Sequence, residues 1–155
     1  TLVSHDVNGL TEADVALAAR VSAVADELGI SALPTRPQEL EVAIDALDIG
    51  AVLPFWRAVL GYEDEPPPAP DANAALVDPR GRGPAVWFQQ MSAPRPQRNR
   101  VHLDLTVPHE VAQERVRAAL DAGGHLVSDS SAPSFWVLGD PEGNEVCVCT
   151  WRGRD

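Results

Sequence analysis

The chain has 155 residues, 45% of them hydrophobic, and a formal net charge of -11. That length supports one real core and hardly two. The charge repels phosphate backbones and anionic membrane surfaces, which excludes nucleic acid and membrane as expected partners. With no apolar run of membrane-spanning length and no signal-like opening segment, the cytoplasm is the expected location.

In chain order, Thr11-Glu12-Ala13-Asp14 comes first, an acidic capping box in which the Thr hydroxyl faces an N3 amide and Asp14 answers the cap and the helix dipole. Apolar residues at Val15, Leu17, Ala18, Val21, Val24, Ala25 and Leu28 then make a helical stripe that Gly29 ends. The spacing predicts a helix over 12–28 whose stripe needs a partner, either the following domain or a second copy in a homodimer. Pro34, Pro37 and the polar residues between them mark 31–39 as a linker. The division is then 1–30, linker 31–39 and a main domain over 40–155.

The main domain contains a duplication. Glu41 to Asp45, an amphipathic helix ending at Leu60-Gly61, and Asp78-Pro79-Arg80-Gly81 before the apolar run Ala85 to Phe88 form one copy. His102 to Thr106, a helix ending at Ala122-Gly123-Gly124, and Asp140-Pro141-Glu142-Gly143 before Val146 to Val148 form the other. A repeated unit usually cannot bury its apolar face alone, so the copies must pack together. The expectation is an α+β fold, two βαβββ modules forming a curved sheet around a cleft, plus the N-terminal helix. Pro66-Pro67-Pro68-Ala69-Pro70 reads as a stiff surface loop inside the first copy. Arg95, Arg98 and Arg100 read as a short solvated connection between the copies. Cys147 and Cys149 share one strand face, a poor geometry for a mutual disulfide, which fits a reduced compartment.

Strand alternation locates a candidate ligand cleft. Val42, Ile44 and Ala46 face the helices and leave Glu41, Ala43 and Asp45 opposite; aliphatic residues from Val101 to Val107 likewise leave His102, Asp104 and Thr106. In the last strand Glu145, Cys147, Cys149 and Trp151 oppose Val146 and Val148, and Trp87 and Gln89 hold the analogous face in the first copy. The cleft residues are therefore Glu41, Asp45, Trp87, Gln89, His102, Asp104, Glu145 and Cys147. Acids outnumber His102 and Arg100 there, and Trp87 offers an aromatic platform. A small, neutral or weakly cationic heterocycle is the expected ligand, a pterin being one candidate.

Three pieces resemble the vicinal-oxygen-chelate, or glyoxalase/bleomycin-resistance/dioxygenase, superfamily: Phe55-Trp56-Arg57-Ala58-Val59-Leu60-Gly61-Tyr62, Arg100-Val101-His102-Leu103-Asp104-Leu105, and Asp140-Pro141-Glu142-Gly143-Asn144-Glu145. For the superfamily's metal-dependent members the resemblance implies ligands at Glu41, His102, Cys147 and near Gln89, of which only His102 keeps the expected type. The expectation is no cofactor and no metal. The alternative is one divalent metal ion held by Glu41, His102 and Glu145.

The stretch from Ser4-His5-Asp6-Val7-Asn8-Gly9-Leu10 through Thr11 to Ala18 resembles the C-terminal end of pterin-4a-carbinolamine dehydratase, with its THxxGLTxxDxxLA-like pattern. That resemblance implies a fusion in which only His5 inherits a catalytic position. The family's paired histidines are absent, so this chain is expected to be inert as that lyase. The function so implied is a metal-free, small-molecule-binding glyoxalase-like domain fused to a 4a-hydroxytetrahydrobiopterin dehydratase. The alternatives are a metal-dependent lyase, isomerase or dioxygenase, and an oligomerisation or regulatory module of the dehydratase.

Overall fold

The computed structural model describes all residues except 1–3, 5, 6, 8, 34–37, 39, 67–72, 154 and 155. His5, Pro34, Pro37 and most of the proline-rich loop fall outside the described residues. The chain divides into two compact units, Thr1–Glu39 and Leu40–Asp155.

The first unit is built on α1 (Glu12–Glu27). Its start is fixed by Asp14, the one buried residue of the helix. The Asp14 carboxylate accepts from the Thr11 amide at 2.8 Å, the Thr11 hydroxyl at 2.8 Å and the Ser4 hydroxyl at 2.8 Å. Gly29, at φ 67°, follows the Leu28 cap. Val15, Leu17, Val21, Val24 and Leu28 are all exposed.

In the second unit the order is β1 (Glu41–Ala46), α2 (Ile49–Leu60), β2 (Glu63–Asp64), β3 (Ala75–Val77), β4 (Ala85–Gln90), β5 (Leu103–Thr106), α3 (His109–Asp121), β6 (His125–Ser128), β7 (Phe135–Gly139) and β8 (Glu145–Cys149). The two βαβββ modules give two open four-stranded sheets, β1-β4-β3-β2 and β5-β8-β7-β6. In each, the first and last strands of the module pair in parallel, Glu41 opposite Ala85 and Leu103 opposite Val146. The expected α+β architecture is present, with the sheet layer divided between the modules.

The helices join the modules. In α2, Val52, Phe55, Trp56 and Val59 are buried at i, i+3, i+4 and i+7, the stripe of a helix with one apolar face. Asp48 caps its start by accepting from the Ala51 amide, and Gly61, at φ 67°, ends it. Helix α3 buries Ala112, Val116 and Ala119 and packs against α2. A side-chain carbon at Gly124 would run into the Phe55 ring and lie 2.9 Å from the Ala119 carbonyl oxygen, so only a hydrogen fits there. One apolar cluster runs from Ile44 and Phe88 of the first module to Leu138 and Val148 of the second.

Alternation holds in β1, where Ile44 and Ala46 are buried and Glu41 and Ala43 exposed. It holds in β5, where Asp104 and Thr106 are exposed. Strand β8 departs from it, because Cys147 and Cys149 are buried along with Val146 and Val148. Neither thiol is in a disulfide. Trp151 lies beyond β8 and is exposed, not part of the strand face.

Candidate functional site

A cavity of about 600 Å³ opens at the seam of the two modules. β1 supplies Val42 to Asp45, the connection supplies Met91, Arg95, Gln97, Asn99 and Arg100, and the second module supplies His102, Leu103 and the turn Pro141 to Glu145. Trp56 lines it as well.

The second Asp-Pro turn builds this seam. Asp140 is fully buried and accepts from Trp56 Nε1 at 2.9 Å, from the Glu142 and Asn144 amides at 2.9 Å each, and from Asn144 Nδ2 at 2.8 Å. Glu142 reaches the other module, accepting from the Leu47 amide at 2.8 Å and the Asp48 amide at 2.6 Å. Its charge sits where the orphan N–H groups before α2 need an acceptor. The first turn is local by contrast: Asp78 accepts from the amides of its own Arg80, Arg82 and Gly83.

The connection between modules is more than a solvated spacer. Arg95 pairs with Asp45 at 3.2 Å, and Arg98 grips Glu145 through both Nε and an Nη at 2.8 and 2.5 Å. Asn99 donates to Asn144. The Glu145 side chain is only 13% exposed, so its charge needs that guanidinium. The acidic bias expected of the cleft is therefore largely cancelled. Arg100 also lines the cavity, and its side chain has no ion-pair or hydrogen-bond partner among the described residues.

A second cavity of about 390 Å³ lies on the open face of the second sheet, lined by His102, Asp104, Ser134, Phe135, Cys147 and Cys149. Asp104 and Cys147 are cross-strand partners, and His102 sits two residues before Asp104 on the same face. His102 Nε2 is 3.4 Å from the Asp104 carboxylate. Burial, then the hydrogen bond its thiol gives Asp104 and the negative charge of that carboxylate, push the Cys147 thiol up to about 11. It stays protonated at neutral pH and is a poor nucleophile.

The structure thus gathers Asp45, His102 and Glu145 on the seam cavity and His102, Asp104 and Cys147 on the second. Glu41, Trp87 and Gln89 line neither; Trp87 lies opposite Ala43 and Gln89 opposite Asp45, within the first sheet. Among the described residues, only His102, Asp104 and Cys147 form a group of three His, Cys, Asp or Glu donors close enough to share an ion. The metal set Glu41, His102 and Glu145 does not assemble, because Glu41 belongs to the other sheet and Glu145 is held by Arg98. Sequence reasoning missed Arg95, Arg98, Glu142 and Asn144 as seam residues, since their partners across the seam are 45 or more positions away and carry no local pattern.

Residues 41–149 match the family described as glyoxalase-like domain. The chain belongs to that family. The glyoxalase-like domain also has the fold of several solved structures. A glyoxalase-related enzyme from Fulvimarina pelagi is 14% identical over 73% of this chain and 87% of its own, with a TM-score of 0.57. A glyoxalase/bleomycin resistance protein from Albidiferax ferrireducens is 19% identical over 71% and 95%, with a TM-score of 0.54. A fosfomycin resistance protein from Listeria monocytogenes is 10% identical over 77% and 91%, with a TM-score of 0.56. At such identities the likeness is one of fold. No curated protein sequence matches. No helix among the described residues of this glyoxalase-like chain is long and apolar enough to cross a membrane.

Proposed function

We propose that the glyoxalase-like domain binds a small organic molecule in the seam cavity. The observation that carries this is the cavity's wall. Both modules and their connection contribute, and Val42, Ile44, Trp56 and Leu103 line it together with charged and amide groups around a volume suited to a small ligand. Solved structures of glyoxalase-related enzymes and a fosfomycin resistance protein share the fold, which supports a small-molecule role without naming the molecule.

Asp45 and Glu145 are engaged by arginines that are themselves about three-quarters exposed. Arginines so exposed can swing into solvent, and a ligand with a donor edge can take the place of the guanidinium on each carboxylate. The amino-amide edge of a pterin has that pattern. Calorimetric titration with oxidised and reduced pterins, alongside small keto acids and thiol conjugates, tests it. Pterin binding weakened about tenfold or more by Asp45→Asn or Glu145→Gln is the expected result. Tighter binding of the anions, or indifference to both substitutions, overturns the ligand class. Binding unchanged by Met91→Trp, which fills the cavity, overturns the site.

An enzymatic reading, a lyase, isomerase or dioxygenase, has one observation in its favour, the convergence of His102, Asp104 and Cys147. Turnover of the bound ligand, lost on Asp104→Asn, would establish it. We also infer, on the residue match around Ser4 to Ala18, that residues 1–30 are the tail of a dehydratase-like domain. Dehydratase activity in a longer natural chain that survives deletion of residues 31–155 would make the glyoxalase-like domain separable from that activity. Its loss would make it a regulatory or assembly module.

A further inference from the structure

We infer that the molecule held in the seam cavity is amphoteric: besides the donor edge that engages Asp45 or Glu145, it carries a carboxylate that seats on Arg100. The inference rests on the ligand reading of that cavity and supplies the half of the ligand which the donor edge leaves open.

The charges on the cavity wall carry it. Its acids are Asp45, Glu142 and Glu145, and each already has a partner: Arg95 at 3.2 Å from Asp45, the Leu47 and Asp48 amides on Glu142, and Arg98 on Glu145. Arg100 lines the same wall, and among the described residues it has no carboxylate or other hydrogen-bonding partner. A guanidinium presents a planar fork of N–H donors whose strongest match is a carboxylate taken in two parallel hydrogen bonds. The wall therefore offers an anion site for which the chain supplies no anion.

Binding enlarges the imbalance. A donor edge that takes Asp45 or Glu145 releases Arg95 or Arg98, so a ligand without an anionic group leaves a second guanidinium without its carboxylate. A ligand that brings its own carboxylate gives Arg100, and the guanidinium it has released, the partner they lack. The segment that carries all three arginines is built for such re-pairing. Among the described residues, no backbone group from Ser92 to Arg100 is hydrogen-bonded to another backbone group, and the Arg95, Arg98 and Asn99 side chains tie the segment to the two modules. Moving an arginine from a wall acid to a ligand acid thus breaks no strand ladder. An acid without a donor edge meets only half of this arrangement, and so does a donor edge without an acid.

The test is calorimetric titration of the full chain with three probes: pterin, pterin-6-carboxylate, and 4-guanidinobenzoate, which is amphoteric without being a pterin. Pterin-6-carboxylate is expected to bind about tenfold or more tighter than pterin, a preference that disappears in Arg100→Gln and is partly kept in Arg100→Lys. Arg100 is exposed, so neither substitution threatens the fold. Equal affinity for the two pterins, or a carboxylate preference that survives Arg100→Gln, overturns this inference and leaves the seam as a pterin site. Arg100-dependent binding of 4-guanidinobenzoate, with neither pterin bound, overturns the pterin reading and upholds the amphoteric one. Saturable binding of none of the three overturns both.

Discussion

Replacing Trp56 by Phe should cost the glyoxalase-like domain more stability than its small change in shape suggests. The ring of Trp56 is 2% exposed, and its indole N–H is one of four donors to the fully buried Asp140 carboxylate. Phenylalanine keeps an aromatic plug but removes that donor, leaving a lone pair of a buried acid unmatched. A hydrogen bond to a charged group contributes about 1.5–3 kcal/mol, and the smaller ring adds about 1 kcal/mol for the space it leaves. The total is about 3 kcal/mol, or roughly 10 °C in Tm for a domain of this size. Urea unfolding followed by circular dichroism measures it without relying on the lost fluorophore. A double-mutant cycle with Asp140→Asn should return a coupling of about 2 kcal/mol. A loss below about 0.5 kcal/mol, or an additive cycle, refutes the assignment of this pair as a brace between the modules.

Gly124→Ala should destabilise by about 1–3 kcal/mol through the Phe55 ring and the Ala119 carbonyl, and Gly61→Ala by about 1–2 kcal/mol from its positive φ, both read by thermal melts. Hydrogen bonds from Ser4, then from the Thr11 amide and hydroxyl, hold the Asp14 carboxyl below its ordinary value. That contribution is complete above the ordinary carboxylate pKa and disappears as pH falls through the lowered one, so the start of α1 should persist into mild acid. An NMR titration should show the Asp14 pKa rising towards the ordinary value in Ser4→Ala, and an unchanged value would refute the bond's role. In metal-free protein the Cys147 thiol, pushed up to about 11, should react with thiol reagents at a rate still rising about tenfold per pH unit near pH 9. A plateau below that pH would contradict it.

The helices, the duplication and the face assignments of β1 and β5 were legible because periods of 3.6 and 2 are local properties of the chain. Thr11 and Asp14 at one end of α1 and Gly29 beyond the other marked its limits within a residue. His102 and Asp104 could be put on one face from alternation alone. Their meeting with Cys147 could not, because it depends on the register of β5 against β8, across an intervening helix and two strands. The acidic potential inferred for the cleft failed for a similar reason. Asp45 and Glu145 were counted as bare charges, whereas Arg95 and Arg98, 50 and 47 positions away, fold back onto them. Trp87 had the right face parity but stands in the first sheet away from the seam, since parity says nothing about position along a cleft.

Every strand pairing within the two sheets is made inside 41–90 or inside 103–149. A cut anywhere in 91–101 therefore severs no sheet. It would yield two fragments, each carrying a complete four-stranded sheet and the helix packed on it, whose claims on each other include the packing of α2 on α3, the Trp56–Asp140 bond, the donation of Arg115 to the Val59 carbonyl and the reach of Glu142 to the Leu47 and Asp48 amides. The domain is in that sense a heterodimer tethered by its own backbone, and co-expression of the two halves should reconstitute it with an affinity that reports the strength of the seam directly.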